Sequence, residues 1–225
     1  FPYELIVQTF IYLYFNNEGN SSMIALIDYG AGNLHSVQHA LDYIGCESCI
    51  TSDAKVLMEA DAAILPGVGS FGHAMECLQN ANLVQPVLDF IHSGKPFLGI
   101  CLGLQLLFEE SEESPGVKGL GVFQGKIQLI PGGWDLKVPH IGWNSLDIKQ
   151  NDGLFLNIAP EPYVYFVHSY YLKAQDREIV SATTTYGIEL DVAIHKDNVH
   201  AVQFHPEKSG VRGIEMLENF ASLIK

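Results

Sequence analysis

Cations are scarce in this chain. Among 225 residues, 12 Lys and Arg stand against 26 Asp and Glu, a formal net charge of −14. A surface of that sign repels phosphate, which argues against nucleic acid as a ligand. Cysteine is sparse as well: four, irregularly spaced. Four such residues make no disulfide framework, so a reducing compartment, the cytoplasm, is expected. No apolar run reaches the ~20 residues of a membrane span. The longest, Phe1 to Phe15, is interrupted by Glu4 and Gln8 and lacks the basic start and cleavage site of a secretory signal. Charged residues are only 17% while hydrophobic ones are 48%, a core-forming composition that excludes disorder.

A polar stretch, Asn16 to Ser22, precedes a β-branched run opening at Met23. Residues 1–22 are therefore expected to be an N-terminal extension or added segment ahead of one domain, 23–225. Neither an internal repeat nor a low-complexity tract interrupts that domain.

Continuous apolar runs at Ile24–Ile27, Cys49–Thr51, Ala62–Leu65 and Pro96–Ile100 read as buried parallel strands, because helical patterns separate them. Leu34, Val37, Leu41 and Ile44 share one helical face, with Asn33 as N-cap and Gly45 as stop. Leu83 to Ile91 is a second amphipathic helix. This alternation implies an α/β fold with helices on both faces of a mostly parallel sheet, and ligands at the strands' carboxyl ends. Beyond residue 115 the pattern changes to shorter alternating strands: Lys126–Ile130, Tyr163–Val167, Ile179–Thr184, Leu190–Ile194 and Val199–Phe204. A last helix runs from about Gly210 to Ile224.

The sharpest chemical signal is Gly99-Ile100-Cys101-Leu102-Gly103, between a buried strand and the helical run LGLQLLFEE. Small residues two before and two after let the chain turn tightly and hold the sulfur exposed, as in a nucleophile elbow. A helix N-terminus facing that sulfur favours its thiolate, and the Leu102 N–H is a candidate oxyanion donor. A nucleophilic cysteine needs a base, and the base an orienting acceptor. His205 and Glu207, placed i and i+2 near a late strand, supply both if the chain there is extended. The glycine-rich turn Pro66-Gly67-Val68-Gly69-Ser70-Phe71 follows a strand and is a candidate source of the second oxyanion donor.

Other signals carry less. Cys46 and Cys49 form a C-x-x-C without the second ligand pair a zinc site wants, and the motif follows a helix instead of opening one. His35 and His39 share a helix face without a nearby acid, so solvation or capping is expected. Asp28-Tyr29-Gly30-Ala31-Gly32 lacks the third glycine of a dinucleotide turn, where His35 stands. Glu109, Glu110, Glu112 and Glu113 read as a solvated helix end. No cofactor and no metal are expected.

Taken together, Gly99–Gly103 with Gln105 and the late His205-Pro206-Glu207 resemble the class I (triad) glutamine amidotransferases. Ile27–Leu34, Pro66–Phe71, Ser111–Glu113, Val138–Asn144, Tyr165–Tyr171 and Gln203–Gly210 narrow the likeness to glutaminase subunits of imidazole glycerol phosphate synthases, over about residues 23–225. That resemblance implies a flavodoxin-like amidotransferase fold with a smaller antiparallel region and a Cys101–His205–Glu207 triad. It further implies oxyanion donors at Val68 and Leu102, and glutamine held by Gly69, Gln105, His168, Ser169 and Tyr170. The implied partner is a (β/α)₈-barrel cyclase subunit in a heterodimer, taking up ammonia for histidine biosynthesis. Pro139, Trp143, Asn144 and Tyr165 would lie towards it. Two other readings share these residues: a paralogue feeding ammonia to a surface-sugar synthase, and an idle partner-binding scaffold. A cysteine peptidase on the same elbow is weakened by Gln105 and Ser169.

Overall fold

The computed structural model describes residues 22–133 and 136–224. All but the last residue of the 1–22 extension lies outside them.

Thirteen strands and six helices follow one another among the described residues. They are β1 (Met23–Ile27), α1 (Leu34–Tyr43), β2 (Glu47–Thr51), α2 (Ala54–Glu59), β3 (Ala62–Gly67), α3 (Phe71–Asn80), α4 (Val84–His92), β4 (Phe97–Cys101) and α5 (Leu102–Leu106). After them come β5 (Glu110–Ser111), β6 (Gly125–Leu129), β7 (His140–Ser145), β8 (Asp147–Ile148), β9 (Tyr163–His168) and β10 (Tyr170–Ala174). The chain closes with β11 (Val180–Tyr186), β12 (Ile188–Lys196), β13 (Val199–Val202) and α6 (Gly210–Ala221).

Eleven strands form one mixed sheet, with neighbours in the order β2-β1-β3-β4-β13-β12-β10-β6-β5; β11 joins β12, and β8 joins β11. The first five of that order run parallel. Beyond them β12, β10 and β6 pair antiparallel. The antiparallel region is thus mostly continuous with the main sheet, and only β7 and β9 form a separate two-stranded ribbon.

Both faces of the parallel part are covered, which explains why its strands are apolar without alternation. Ile24, Leu26, Ile64, Leu98 and Ile100 pack with Val37 and Leu41 of α1 and Met216, Leu217 and Phe220 of α6. The alternate residues Ala25, Ile27, Ala63, Leu65 and Phe97 pack with Leu57 of α2, Phe71 and Leu78 of α3, and Phe90 of α4. Burying one such side chain contributes roughly 1.5–3 kcal/mol. This two-sided core fixes the strand positions, and with them the loops at their carboxyl ends.

The expected strands and both early helices are present within a few residues. α1 starts after Asn33, although that side chain makes no capping hydrogen bond. Helix α3, for which the periodicity gave no separate element, follows the glycine-rich turn directly. Cys46 and Cys49 pack into opposite cores of the sheet, so their side chains diverge. His35 and His39 are exposed, as expected.

Two expectations fail. The helix after the elbow ends at Leu106, far short of Glu110. The acidic run beyond it is no solvated helix end, because its carboxylates hold backbone N–H groups. Glu109 accepts from Gly125 N at 3.2 Å, Glu112 from Leu129 N at 2.9 Å and Glu113 from Phe71 N at 2.7 Å. End-of-element donors need such partners; Glu110, the fourth acid, instead pairs with Lys118 and Lys126.

Candidate active site

Strands β3, β4 and β13 are adjacent and parallel, so their carboxyl ends deliver three loops to one place. The middle strand ends at Cys101, whose backbone has φ +56° and ψ −108°. A non-glycine residue in that region is strained and is sustained only by close packing around it. The flanking glycines show why the turn is possible. A Cβ on Gly103 would lie 1.9 Å from the Leu65 carbonyl oxygen, and one on Gly99 2.9 Å from the Gly103 oxygen. Strand and helix therefore touch backbone to backbone, and the sulfur rides on that contact.

Beyond β13 the chain enters a 3₁₀ turn, Pro206–Lys208. His205 Nδ1–H donates to Glu207 Oε1 at 2.8 Å, with both side chains almost wholly buried. The pair is the one expected, for a different reason: the tight turn, not an extended chain, brings i and i+2 together. Burial disfavours the imidazolium, but Cys101 and the Glu207 carboxylate outweigh it and hold His205 at about 9. The second ring nitrogen, Nε2, has no hydrogen-bond partner among the described residues. Cys101 borders the same cavity as His205 and supports its positive charge together with Glu207.

Both residues open on one cavity of about 360 Å³, within the range of small-molecule sites. The β3–α3 loop contributes Val68 and Gly69, the elbow helix Leu102 and Gln105, and β9–β10 His168, Ser169 and Tyr170. Every residue expected to hold substrate or an oxyanion therefore lines the same space. Gly69 has φ +94°, so this loop uses a backbone conformation that other residues rarely adopt. Glu207 stands behind His205 and does not line the cavity.

Four residues at or beside the cavity escaped the sequence reading. Glu113 lines it while holding the first N–H of α3, and Lys208 adds the opposite charge. Gln203, fully buried, points its amide at Cys101 Sγ, 3.7 Å away. His140 lies 3.0 Å from His168, whose other nitrogen bonds the Tyr170 carbonyl at 2.9 Å. A carbonyl only accepts, so His168 carries its proton on Nδ1 and takes one from His140 through Nε2. Burial pushes both imidazoles down to about 4, so this chain of two rings is neutral. The proximity of Gln203 to His205 in sequence was a usable signal; the His140–His168 pairing depends on strand register and was not.

The β7–β9 ribbon borders the cavity through Pro139, at its start, and Val167. Register pairs Ile141 with Val167 and Trp143 with Tyr165. Ile141, Trp143, Tyr163 and Val167 are exposed on the face they share, and Trp143 meets Tyr165 edge-on at 6.1 Å. Exposed apolar patches of this kind mark interaction surfaces. Asn144 stands apart from this group. Its amide donates to Thr185 O at 2.9 Å and its oxygen accepts from Ser145 N at 2.9 Å, anchoring the ribbon to the sheet. Ser209 ties the same ribbon to His205: its hydroxyl accepts from Tyr165 N at 3.0 Å and donates to His205 O at 2.6 Å. His205 N–H in turn donates to Tyr165 O at 3.0 Å.

None of the helices in the described residues is long and apolar enough to cross a membrane. The family model described as "Glutamine amidotransferase class-I" matches residues 25–223. The chain is 52% identical over 203 residues to the "Imidazole glycerol phosphate synthase subunit HisH" of Methanothermobacter thermautotrophicus, covering 90% of this chain and 100% of that protein. It is 49% identical to the protein of the same name from Caldanaerobacter subterraneus, covering 90% and 99%. Among solved structures, PurLQS from Thermotoga maritima superposes with a TM-score of 0.72 at 19% identity, covering 92% of this chain and 100% of that one. A structure described as a glutamine amidotransferase gives 0.70 at 20% identity, covering 89% and 98%. These two likenesses speak for the fold alone.

Proposed function

Because this chain belongs to the class-I glutamine amidotransferase family, we propose that it is the glutaminase subunit of an imidazole glycerol phosphate synthase, with residues 23–225 as the catalytic domain. The observation that carries the chemistry is the meeting of Cys101 and the Glu207-held His205 in one cavity at the carboxyl ends of adjacent strands. The naming of the subunit rests on relatives about half identical over nine-tenths of the chain.

The mechanism follows from those positions. The Cys101 thiolate adds to the side-chain amide carbon of glutamine, and the carbonyl oxygen takes the negative charge. Val68 and Leu102 N–H groups stabilise that oxyanion. His205, protonated at neutral pH, gives its proton to the nitrogen as the C–N bond breaks, releasing ammonia and leaving a γ-glutamyl thioester. Water then loses a proton to His205 and attacks the thioester; the C–S bond breaks and glutamate departs. Glu207 keeps the ring oriented and its charge supported throughout. Gly69, Gln105, His168, Ser169 and Tyr170 hold the substrate. Glu113 and Lys208 bring both signs of charge to the cavity, which suits the charged α-groups of an amino acid.

Ammonia released into neutral water becomes ammonium and loses its nucleophilicity, so delivery to a docked acceptor enzyme is useful. The apolar ribbon beside the cavity gives such a partner a place to bind, with Pro139, Trp143 and Tyr165 towards a (β/α)₈-barrel cyclase. Co-purification with that subunit should yield glutamine-dependent synthesis of imidazole glycerol phosphate. Cys101→Ser should abolish the glutamine-dependent reaction and spare the one fed with ammonium salts. Failure to bind the cyclase, together with failure to rescue a histidine auxotroph, would refute the assignment and favour the sugar-synthase paralogue.

A further inference from the structure

The fully buried amide of Gln203 has its orientation dictated by its neighbours. The Tyr170 carbonyl can only accept, so Gln105 must turn its NH₂ to it, at 3.2 Å. That nitrogen has one hydrogen left, and Gln203 Oε1 receives it at 2.9 Å. With its oxygen committed, Gln203 presents its own NH₂ to Cys101 Sγ at 3.7 Å. Reversing Gln203 would set donor against donor, and reversing Gln105 acceptor against acceptor, in a buried site where an unmet polar group is costly. Three residues from distant parts of the chain thus aim one N–H at the sulfur.

We propose that Gln203 is a further catalytic group, donating a hydrogen bond to the Cys101 thiolate while Gln105 serves as its positioning residue. The inference rests on Cys101 being the nucleophile, as argued above. A donated N–H stabilises a charged sulfur far more than a thiol or thioester sulfur. It therefore lowers the pH at which Cys101 becomes nucleophilic and supports the same sulfur as leaving group during thioester hydrolysis. The other titratable groups facing Cys101 are His205, with Glu207 behind it, and the buried phenol of Tyr29. Glu113, His168 and Lys208 stand farther round the cavity wall.

The test is the pH profile of Cys101 alkylation by iodoacetamide in the full chain, followed peptide by peptide so that Cys46, Cys49 and Cys77 are counted separately. Removing one donor from a charged group is expected to raise the alkylation midpoint by about one pH unit in Gln203→Met. Below both midpoints this leaves roughly tenfold less thiolate, of which a more basic and more reactive sulfur recovers about threefold. The variant should thus react about threefold slower at low pH and about threefold faster at high pH, a crossing that mere loosening of the site does not produce. Gln203→Glu should shift the midpoint in the same direction and further. In the unsubstituted chain, the Gln203 side-chain amide resonances should titrate together with Cys101 and cease to do so in Cys101→Ala; this arm decides if neither variant folds. An unmoved midpoint in a folded variant, or amide resonances indifferent to Cys101, overturns the proposal. If Cys101 of the unsubstituted chain reacts no faster than the other three cysteines, the nucleophile assignment itself falls.

Discussion

Replacing Gly103 with alanine tests how the elbow is built. The added methyl would sit 1.9 Å from the Leu65 carbonyl oxygen and 3.0 Å from its carbon. Neither belongs to a side chain that can swing aside: Leu65 lies in β3, paired to Gly99 of β4, and both strands are central. Relief to an ordinary contact requires the start of α5 and the end of β3 to part by at least about 1 Å. Overpacking of this kind costs about 1–3 kcal/mol. In a chain of this size each kcal/mol lowers Tm by about 2–4 °C, so a fall of roughly 2–12 °C is expected by calorimetry. The catalytic effect should be larger, because that parting separates the sulfur from the Val68–Gly69 loop. Misplacement by about 1 Å commonly costs on the order of 10²-fold, to be read as kcat/KM for glutamine in the complex with the cyclase. Gly133→Ala is the control, since a methyl there meets nothing within 4 Å. A Gly103→Ala protein retaining both Tm and at least a third of the parent's kcat/KM would refute this account of the elbow.

Glu207→Gln keeps a hydrogen-bonding oxygen beside His205 and removes the charge. The His205 midpoint, read by NMR, should fall from about 9 towards 6.5, with glutamine hydrolysis reduced at least tenfold at neutral pH; an unmoved midpoint would show that Cys101 alone holds it up. Acid should unfold the protein steeply. His140 and His168 sit near 4 and His200 near 3, all depressed chiefly by burial. Their neutral forms therefore favour the folded state above about pH 6.5, and this support is lost as pH falls towards 4. Each contributes about 1.4 kcal/mol per pH unit in that window, and denaturant titrations at pH 6.5 and 4.5 should show the loss reduced by about a third in His140→Phe, because burial still depresses His168 and His200. Trp143→Ala should weaken cyclase binding by 2 kcal/mol or more, as buried aromatic anchors do, measured by calorimetric titration, while leaving the Cys101 alkylation rate of the free chain unchanged.

The elbow and the His205–Glu207 pair were legible because each is encoded locally. The elbow needs small residues two positions either side of a nucleophile, and Gly99 and Gly103 announce it. His205 and Glu207 stand so close in sequence that their pairing could be read even from the wrong backbone geometry. The parallel strands were visible because burial on both faces removes alternation. What stayed hidden depends on contacts between distant segments. Nothing around Glu113 reveals that it meets Phe71, forty-two residues earlier, so its run read as solvated charge. The His140–His168 pair follows from the β7–β9 register, and Gln203 acquires its role only through Gln105, ninety-eight residues away.

One hydroxyl has a consequence for engineering. Because Ser209 clasps both the outward-facing ribbon and the main chain of His205, recognition and proton transfer share a hinge pin. Grafting a foreign β9 to redirect this subunit towards another acceptor would tug on the imidazole as well. Any such chimaera has to carry its serine and the following helix along as a single cassette, or the new pairing will assemble and stay silent.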